Sequence, residues 1–374
     1  MKIRAAVLRE MGLPAPYAKS KPLRLTELDL GDPGPGELLI RIRAAGLCHS
    51  DLSVIDGSRP RVMPMALGHE AAGEVIKLGP DTEGFSIGDH VVLSFVPSCG
   101  SCGPCREGRS ALCEKGAAAN GAGTLLSGHR RLSIGDELIN HHLGVSAFAD
   151  HAVVSARSAV KIDKELPWEL AALFGCAVLT GVGAVVNSAR VQPGESVAVF
   201  GLGGVGLSAV LGAIVAGGEP VIAIDRVKSK LELARSLGAA HVIDASTVDP
   251  VQAVKELTGG GVLHAIETVG SEQVLAQAYA ATRRGGTTVT VGLPHPKKQL
   301  SISAVSLVAE ERVLRGSYLG SGVASRDIPR AIALHRAGRL PVDKLLTHRL
   351  TLEQLNEGFD RLASGEGVRQ VVLI

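Results

Sequence analysis

The sequence lacks a dominant sign of charge. Its 39 basic residues nearly cancel its 37 acidic ones, leaving a formal charge of +2 over 374 residues. No block of like charge is present that would track a phosphate backbone, which speaks against nucleic acid as a partner. Internal repeats and low-complexity linkers are also missing. The start, MKIRAAVLREMGLP, supplies neither an uninterrupted signal core nor a small-residue cleavage site, so a cytoplasmic location is expected. One long run free of charge could pass for a membrane span: SVAVFGLGGVGLSAVLGAIVAGG, residues 196–218, long enough to cross a bilayer. Its glycines cluster where a strand should give way to a helix, so it reads as strand, turn and helix rather than as a membrane segment. With 45% hydrophobic residues the chain can fill two cores of ordinary domain size.

Cysteine is scarce as well. Of six, four lie in SCGSCGPCREGRSALCEK, as Cys99, Cys102, Cys105 and Cys113. A reducing compartment makes a disulfide ladder a weaker explanation than a metal site. The spacing C-x2-C-x2-C-x7-C departs from bacterial iron–sulfur runs, which close with x3 and a proline. Zinc is therefore expected, in a closed four-thiolate shell that ties down a glycine-rich loop and does no chemistry. The two remaining cysteines, Cys48 and Cys176, are far apart in sequence. Two thiolates and a histidine make a zinc site with an open position, but twelve histidines offer many partners and either cysteine could be a small core residue.

A nucleotide site is legible too. The apolar run SVAVFG precedes G-x-G-x-x-G at Gly201, Gly203 and Gly206, and LSAVLGAIVAGG then has helical composition. A second apolar run, PVIAID, ends at Asp225, where a carboxylate would accept hydrogen bonds from both ribose hydroxyls and repel a 2′-phosphate. NAD is thus expected over NADP, although Arg226 next door softens the preference. Strand-like and helical stretches alternate to about residue 321, the pattern of a doubly wound parallel sheet.

The segments GLCHSDL (46–52), GHEAAGEV (68–75) and FGLGGVG (200–206) surround the cysteine loop in that order. Together they resemble the zinc-dependent medium-chain alcohol dehydrogenases, of the dimeric type that carries a structural zinc lobe. The likeness runs from the first strand to SGEGVRQVVLI at the end. It implies an α/β protein: a Rossmann doubly wound NAD-binding domain at 178–321, and a catalytic domain from 1–177 and 322–374 on a partly open, GroES-like β-barrel. A cleft between them would hold the nicotinamide.

Carried over position by position, the resemblance places the catalytic zinc on Cys48, His69 and Cys176, with Glu70 as an alternative ligand. Asp51 would orient His69, whose second ring nitrogen needs a partner. Ser50 would pass on the proton released in alcohol oxidation. Cofactor contacts are implied for Gly204, Val205, Val291, Lys230 near the ribose, and His49 and Arg369 at the pyrophosphate. Phe95, Leu143, Leu293 and Tyr318 would line an apolar substrate channel suited to primary alcohols with an apolar or aromatic group. Residues 299–319 match the segment through which relatives pair two sheets edge to edge, so a homodimer is expected. Two zinc ions per chain follow from the disjoint ligand sets.

Two alternatives stand beside this reading. One is a glutathione-dependent formaldehyde dehydrogenase, whose relatives carry an arginine shortly after the last lobe cysteine. Here that position is Ala117, and the acidic residue of the entry loop aligns with Arg59. The other is a non-enzymatic zinc-ribbon binding module, which leaves Cys48, His69, Cys176 and the glycine fingerprint unexplained.

Overall fold

Val197–Phe200 is four buried apolar residues in succession, the signature of a strand covered on both faces. In the computed structural model, which describes residues 1–374, it is the central strand of a six-stranded parallel sheet. The spatial order is His241–Asp244, Val221–Asp225, Val197–Phe200, Val262–Glu267, Thr282–Thr290 and Val313–Gly316. The order reverses at Val197–Phe200, with Val221–Asp225 on one side and Val262–Glu267 on the other, so the crevice beyond the carboxyl ends of these strands is the place for a ligand. Phe200, Ile222, Ile224, Ile243, Val254 and Val262 fill one core beside this sheet. The uncharged run 196–218 is divided between the strand and the 12-residue helix Gly204–Val215, and no single helix is long and apolar enough to cross a membrane.

This sheet and its helices form one of two compact units, Ala177–Gly322 with Arg330–Leu345. The other comprises Met1–Cys176, Val323–Pro329 and Leu346–Ile374. The resemblance implies that the segment 322–374 lies wholly in the catalytic domain; residues 330–345 instead go with the parallel sheet. Buried Val342 and Leu345 anchor that segment, and Arg339 Nη2 donates to the Val215 carbonyl, 3.4 Å away, at the end of the helix Gly204–Val215.

In the first unit, Lys2–Leu8, Leu23–Leu30, Leu132–Ile134, Glu137–His141 and Met65–Ala66 close a five-stranded barrel around Ile3, Val7, Leu28, Leu30, Leu132 and Ile139. A second, seven-stranded sheet is organised by Glu37–Gly46. One edge of that strand pairs with Ala71–Leu78. The other is shared, its first half by His151–Ser155 and its last residues by Arg369–Leu373.

Candidate metal and nucleotide sites

The sulfurs of Cys99, Cys102, Cys105 and Cys113 all lie within 4.8 Å of one another. Backbone amides are aimed at them. Cys99 N–H donates to Cys113 Sγ at 3.2 Å, Ser101 and Cys102 N–H to Cys99 Sγ at 3.4 and 3.3 Å, and Gly116 N–H to Cys113 Sγ at 3.3 Å. The last of these makes Cys113 the cap of the helix Glu114–Ala122. Donors of this kind favour thiolate. The Ser101 amide and hydroxyl draw Cys99 down to about 5, whereas burial, reinforced by Cys102 and Cys113, pushes Cys105 up to about 12. Four sulfurs at this separation cannot all ionise without a cation among them, and a zinc ion meets that need.

The second cluster is assembled by strand pairing. Ala45 faces Ala71 and Gly46 faces Val371, so three strands terminate side by side. The chain then stays in register for one more step: Gly46 N–H donates to the Glu70 carbonyl at 2.8 Å and Leu47 N–H to the Gln370 carbonyl at 3.0 Å. Cys48, His69, Glu70 and Arg369 follow from that convergence. Cys176 arrives from the short helical turn Ala172–Gly175, in which Gly175 packs too close to the Leu93 carbonyl for any Cβ.

The donor atoms of Cys48, His69, Glu70 and Cys176 fall within 4.8 Å of one another, with Cys176 Sγ 3.7 Å from His69 Nε2. Hydrogen bonding to Cys176, aided by His69, holds the Cys48 thiol well below its ordinary value, and Cys176 rises well above its own. Burial pushes Glu70 up to about 7 although Arg369 pulls the other way. Glu70 Oε1 meets Arg369 Nη2, and Glu70 Oε2 is buried with no hydrogen-bond donor. A mixed sulfur, nitrogen and oxygen set with an unsatisfied carboxylate oxygen fits zinc.

Asp51, in the first turn of the helix His49–Ile55, is fully buried. Its Oδ1 accepts from Gly68 N–H at 3.1 Å, and its Oδ2 stands 3.0 Å from His69 Nδ1. A second imidazole, which sequence reasoning missed, is also present: His142 Nδ1 is 3.1 Å from Asp51 Oδ1. Burial opposes ionisation of Asp51, yet His69 and His142 hold it well below the usual carboxylate range. Burial likewise opposes a charge on His69, but Asp51 and Cys48 outweigh it and raise the imidazole well above its ordinary value. The sequence marks His142 only as one half of a His141–His142 pair among twelve histidines.

In the other unit the three fingerprint glycines have three separate reasons. Gly201 sits at φ +89°, a left-handed turn, with Val269 and Thr268 against the face a side chain would occupy. At Gly206 a Cβ would collide with the Gly201 carbonyl, so the helix packs directly on the turn. Gly203 is the cap of the helix Gly204–Val215, and nothing lies within 4 Å of the place a methyl group would take there, leaving the open approach a phosphate needs. Thr268, unmarked by any motif, ties the turn to the next strand by donating to the Phe200 and Gly201 carbonyls at 3.1 and 2.9 Å.

Asp225 ends its strand as expected, and its carboxylate is engaged by the backbone. Oδ2 accepts from Leu202 N–H at 2.6 Å, and Oδ1 from Arg226 and Val227 N–H at 2.7 and 3.0 Å. Arg226 is exposed and Lys230 half-buried near the start of the helix Lys228–Ser236. Val291 N–H donates to the Glu267 carbonyl at 2.9 Å, just past the end of its strand. Arg369, expected at a pyrophosphate, is buried against Glu70 beside the sulfur cluster. Ser50 is half-buried in the first turn of the helix that starts after Cys48, and His49 beside it is exposed. Phe95 and Leu143 are buried, the Phe95 ring standing edge-on to His69 with centroids 5.2 Å apart. Leu293 and Tyr318 are exposed on the parallel-sheet unit.

Residues 34–164 match the alcohol dehydrogenase GroES-like domain and residues 204–336 the zinc-binding dehydrogenase domain. Over its full length the chain is 39% identical to the NDMA-dependent alcohol dehydrogenase of Amycolatopsis methanolica, covering 99% of that protein. It is 37% identical to an S-(hydroxymethyl)glutathione dehydrogenase of Synechocystis, with 100% of both chains covered. The chain belongs to the zinc-dependent medium-chain alcohol dehydrogenases. Among solved structures, this dehydrogenase matches the benzyl alcohol dehydrogenase of Acinetobacter calcoaceticus with a TM-score of 0.93 at 34% identity, covering 100% of this chain and 99% of that one. An alcohol dehydrogenase zinc-binding domain protein from Burkholderia ambifaria matches with a TM-score of 0.94 at 37% identity, over the same shares of the two chains. The protein is an oxidoreductase, so the non-enzymatic zinc-ribbon alternative is set aside.

Proposed function

We propose that this dehydrogenase interconverts a primary alcohol carrying an apolar or aromatic group with its aldehyde, using NAD and a catalytic zinc held by Cys48, His69 and Cys176 with Glu70 in reach. The observation that carries the reading is the buried cluster of Cys48, His69, Glu70 and Cys176 with the Phe95 ring against it. When bound there, zinc supplies a Lewis acid that lowers the pKa of an alcohol hydroxyl, and NAD supplies the hydride acceptor. Asp51 fixes the His69 tautomer, so that Nε2 offers its lone pair toward the cluster. Ser50, able both to donate and to accept, carries the proton away from the hydroxyl. Phe95 and Leu143 keep water off the site and favour apolar substrates. Gly201, Gly203 and Gly206 shape the pyrophosphate cradle, and Asp225 reads the ribose. Cys99, Cys102, Cys105 and Cys113 hold a second zinc that braces their loop. The similarity to a benzyl alcohol dehydrogenase supports the aromatic preference.

Elemental analysis should find two zinc ions per chain, and one would sink the assignment. Cys102→Ser should chiefly lower stability, while Cys48→Ala should abolish turnover and leave the fold largely intact; swapped phenotypes would mean the sites are reversed. Across a panel of alcohols, catalytic efficiency should rise with apolar size, each buried methylene contributing about 0.8 kcal/mol. A steady fall with chain length would contradict the apolar channel.

The glutathione-dependent reading draws support from relatives such as the Synechocystis enzyme. Ala117, small and on the helix Glu114–Ala122, offers no guanidinium for a glutathione carboxylate. Formaldehyde oxidation that required added glutathione would reverse our choice.

A homodimer is part of the same proposal. Val313–Gly316 is an edge strand paired on one side only, and the adjoining helix Ala304–Ala309 exposes Val305 at 70% and Val308 at 81%. Light scattering should report twice the chain mass, reduced to the monomer by Val308→Lys. A wild-type monomer at micromolar concentration would rule out the paired edge.

A further inference from the structure

We propose that His142 is a positioning residue for the metal ligand His69, acting through Asp51. The inference rests on the zinc reading of the Cys48, His69 and Cys176 cluster. Its basis is a buried row of three side chains in which one carboxylate faces two imidazoles. Asp51 Oδ2 is 3.0 Å from His69 Nδ1, and Asp51 Oδ1 is 3.1 Å from His142 Nδ1. The three side chains are at most 1% exposed, so water cannot take the place of either ring. The two rings also stand edge to face, with centroids 5.4 Å apart.

The chemistry follows from counting donors. A buried carboxylate has several acceptor positions and needs a donor at each oxygen. Oδ1 takes the Gly68 N–H at 3.1 Å, leaving a second lone pair to which His142 Nδ1–H is the neighbouring donor. Each carboxylate oxygen thus faces an imidazole nitrogen at ion-pair distance, Oδ1 facing His142 and Oδ2 facing His69, and neither ring nitrogen has another partner. One of those oxygens in turn holds the His69 ring, so that Nε2 faces the sulfurs of the cluster. Without His142 the carboxylate would keep only the Gly68 amide and the His69 ring itself, and could swing, taking that ring with it.

The backbone around His142 is built to keep the ring in place. His142 N–H donates to Ser146 Oγ at 2.9 Å, and Ser146 Oγ–H donates to the Ala66 carbonyl at 2.8 Å, two residues before Gly68 in the His69 loop. Leu143 and Ser146 both have positive φ, 52° and 53°, a conformation that side-chain-bearing residues adopt only when their surroundings over-determine it. The turn therefore bonds to the loop that carries His69 and presents an imidazole to the aspartate that holds it.

The test compares two variants in the zinc-loaded protein. His142→Phe keeps a ring of similar size and removes the donor; His142→Asn keeps an N–H near the place of Nδ1 and loses the ring. Metal release to a chelator is followed with a colorimetric indicator, the four-cysteine zinc in the same molecule serving as internal reference. Cobalt(II) in the catalytic site reports ligand geometry through its visible absorption. His142→Phe should release catalytic-site zinc about tenfold faster, in the range seen when outer-shell partners are lost, and should shift the cobalt bands. The four-cysteine zinc should leave at an unchanged rate, and His142→Asn should stay close to wild type on both readouts. A Phe variant indistinguishable from wild type would overturn the proposal, as would equal acceleration in both variants or at both metal sites, each of which marks His142 as packing only. A wild-type protein holding a single zinc, on the four cysteines, would instead overturn the underlying zinc reading.

Discussion

Glu70 and Arg369 form an ion pair at the buried end of the sheet, and the residue that makes space for it is Gly46. A Cβ on Gly46 would stand 2.5 Å from Glu70 Oε1 and 2.8 Å from Arg369 Nη2. The pair is fixed by strand register, since Gly46, Glu70 and Arg369 occupy adjacent strand ends. Gly46→Ala should therefore cost about 1–3 kcal/mol, the usual range for forcing an extra methyl group into a filled interior. Arg369→Met should cost more, about 3–5 kcal/mol, because it leaves the Glu70 carboxylate buried without a partner. The double variant Glu70→Gln with Arg369→Met should recover most of that loss in urea unfolding. If it lost as much as the sum of the singles, the two side chains would not be coupled.

Asp225, proposed above to read the ribose, is bonded to the glycine turn. Because its Oδ2 holds the Leu202 amide at 2.6 Å, Asp225→Ser should act in two ways. It removes the charge that repels a 2′-phosphate, and it releases a backbone donor inside the fingerprint, costing about 1 kcal/mol. NADP efficiency should rise relative to NAD, while the KM for both cofactors increases. An unchanged NAD to NADP ratio would mean that another group reads the ribose.

These two sites mark what is legible in the sequence. Glycines 201, 203 and 206 and the four lobe cysteines are close in the chain, so local spacing carries their chemistry. Position alone assigns Arg369 to a pyrophosphate, but its contact with Glu70 depends on strand pairing across 299 residues, which no spacing expresses. His142 depends on a barrel strand ending beside a helix ninety positions earlier in the chain. The division of 322–374 is hidden for a similar reason, since Arg339 and Val342 resemble any other amphipathic surface until the helix they meet is known. Tertiary convergence is the common element in all three.

His141, next to His142, has a different task. It is buried, and its Nε2 accepts the Arg131 N–H at 3.0 Å, which requires an unprotonated ring. Burial lowers it from 6.5 to about 4. A base depressed in this way stabilises the fold above the unfolded value, and that contribution is lost as pH falls from about 6.5 toward 4. Fully developed, the loss is on the order of 3 kcal/mol at 1.36 kcal/mol per unit. Urea midpoints measured between pH 7 and pH 4.5 should fall less in His141→Gln, whose amide oxygen accepts the same hydrogen bond without titrating. Parallel curves for the two proteins would show that other groups drive the acid loss.

The last prediction concerns the proton's exit. In the best-known relatives a histidine lies two residues beyond the aspartate of the first zinc motif, and here that position is Ser53. Its hydroxyl donates to the His49 carbonyl one helical turn back, at 2.7 Å, so its proton is already committed to the backbone. A serine does not titrate near neutral pH, and this one has no free hydrogen to pass on. The relay proposed to begin at Ser50 would then end on solvent, without a base whose pKa matches the working pH. Added imidazole buffer should therefore accelerate alcohol oxidation below neutral pH, with less effect above it. Ser53→His should raise the low-pH rate and remove most of the buffer effect, since an imidazole at that place supplies the missing base. A rate independent of buffer, with the same pH profile in Ser53→His, would show that hydride transfer or cofactor release sets turnover and that the serine stands outside the proton path.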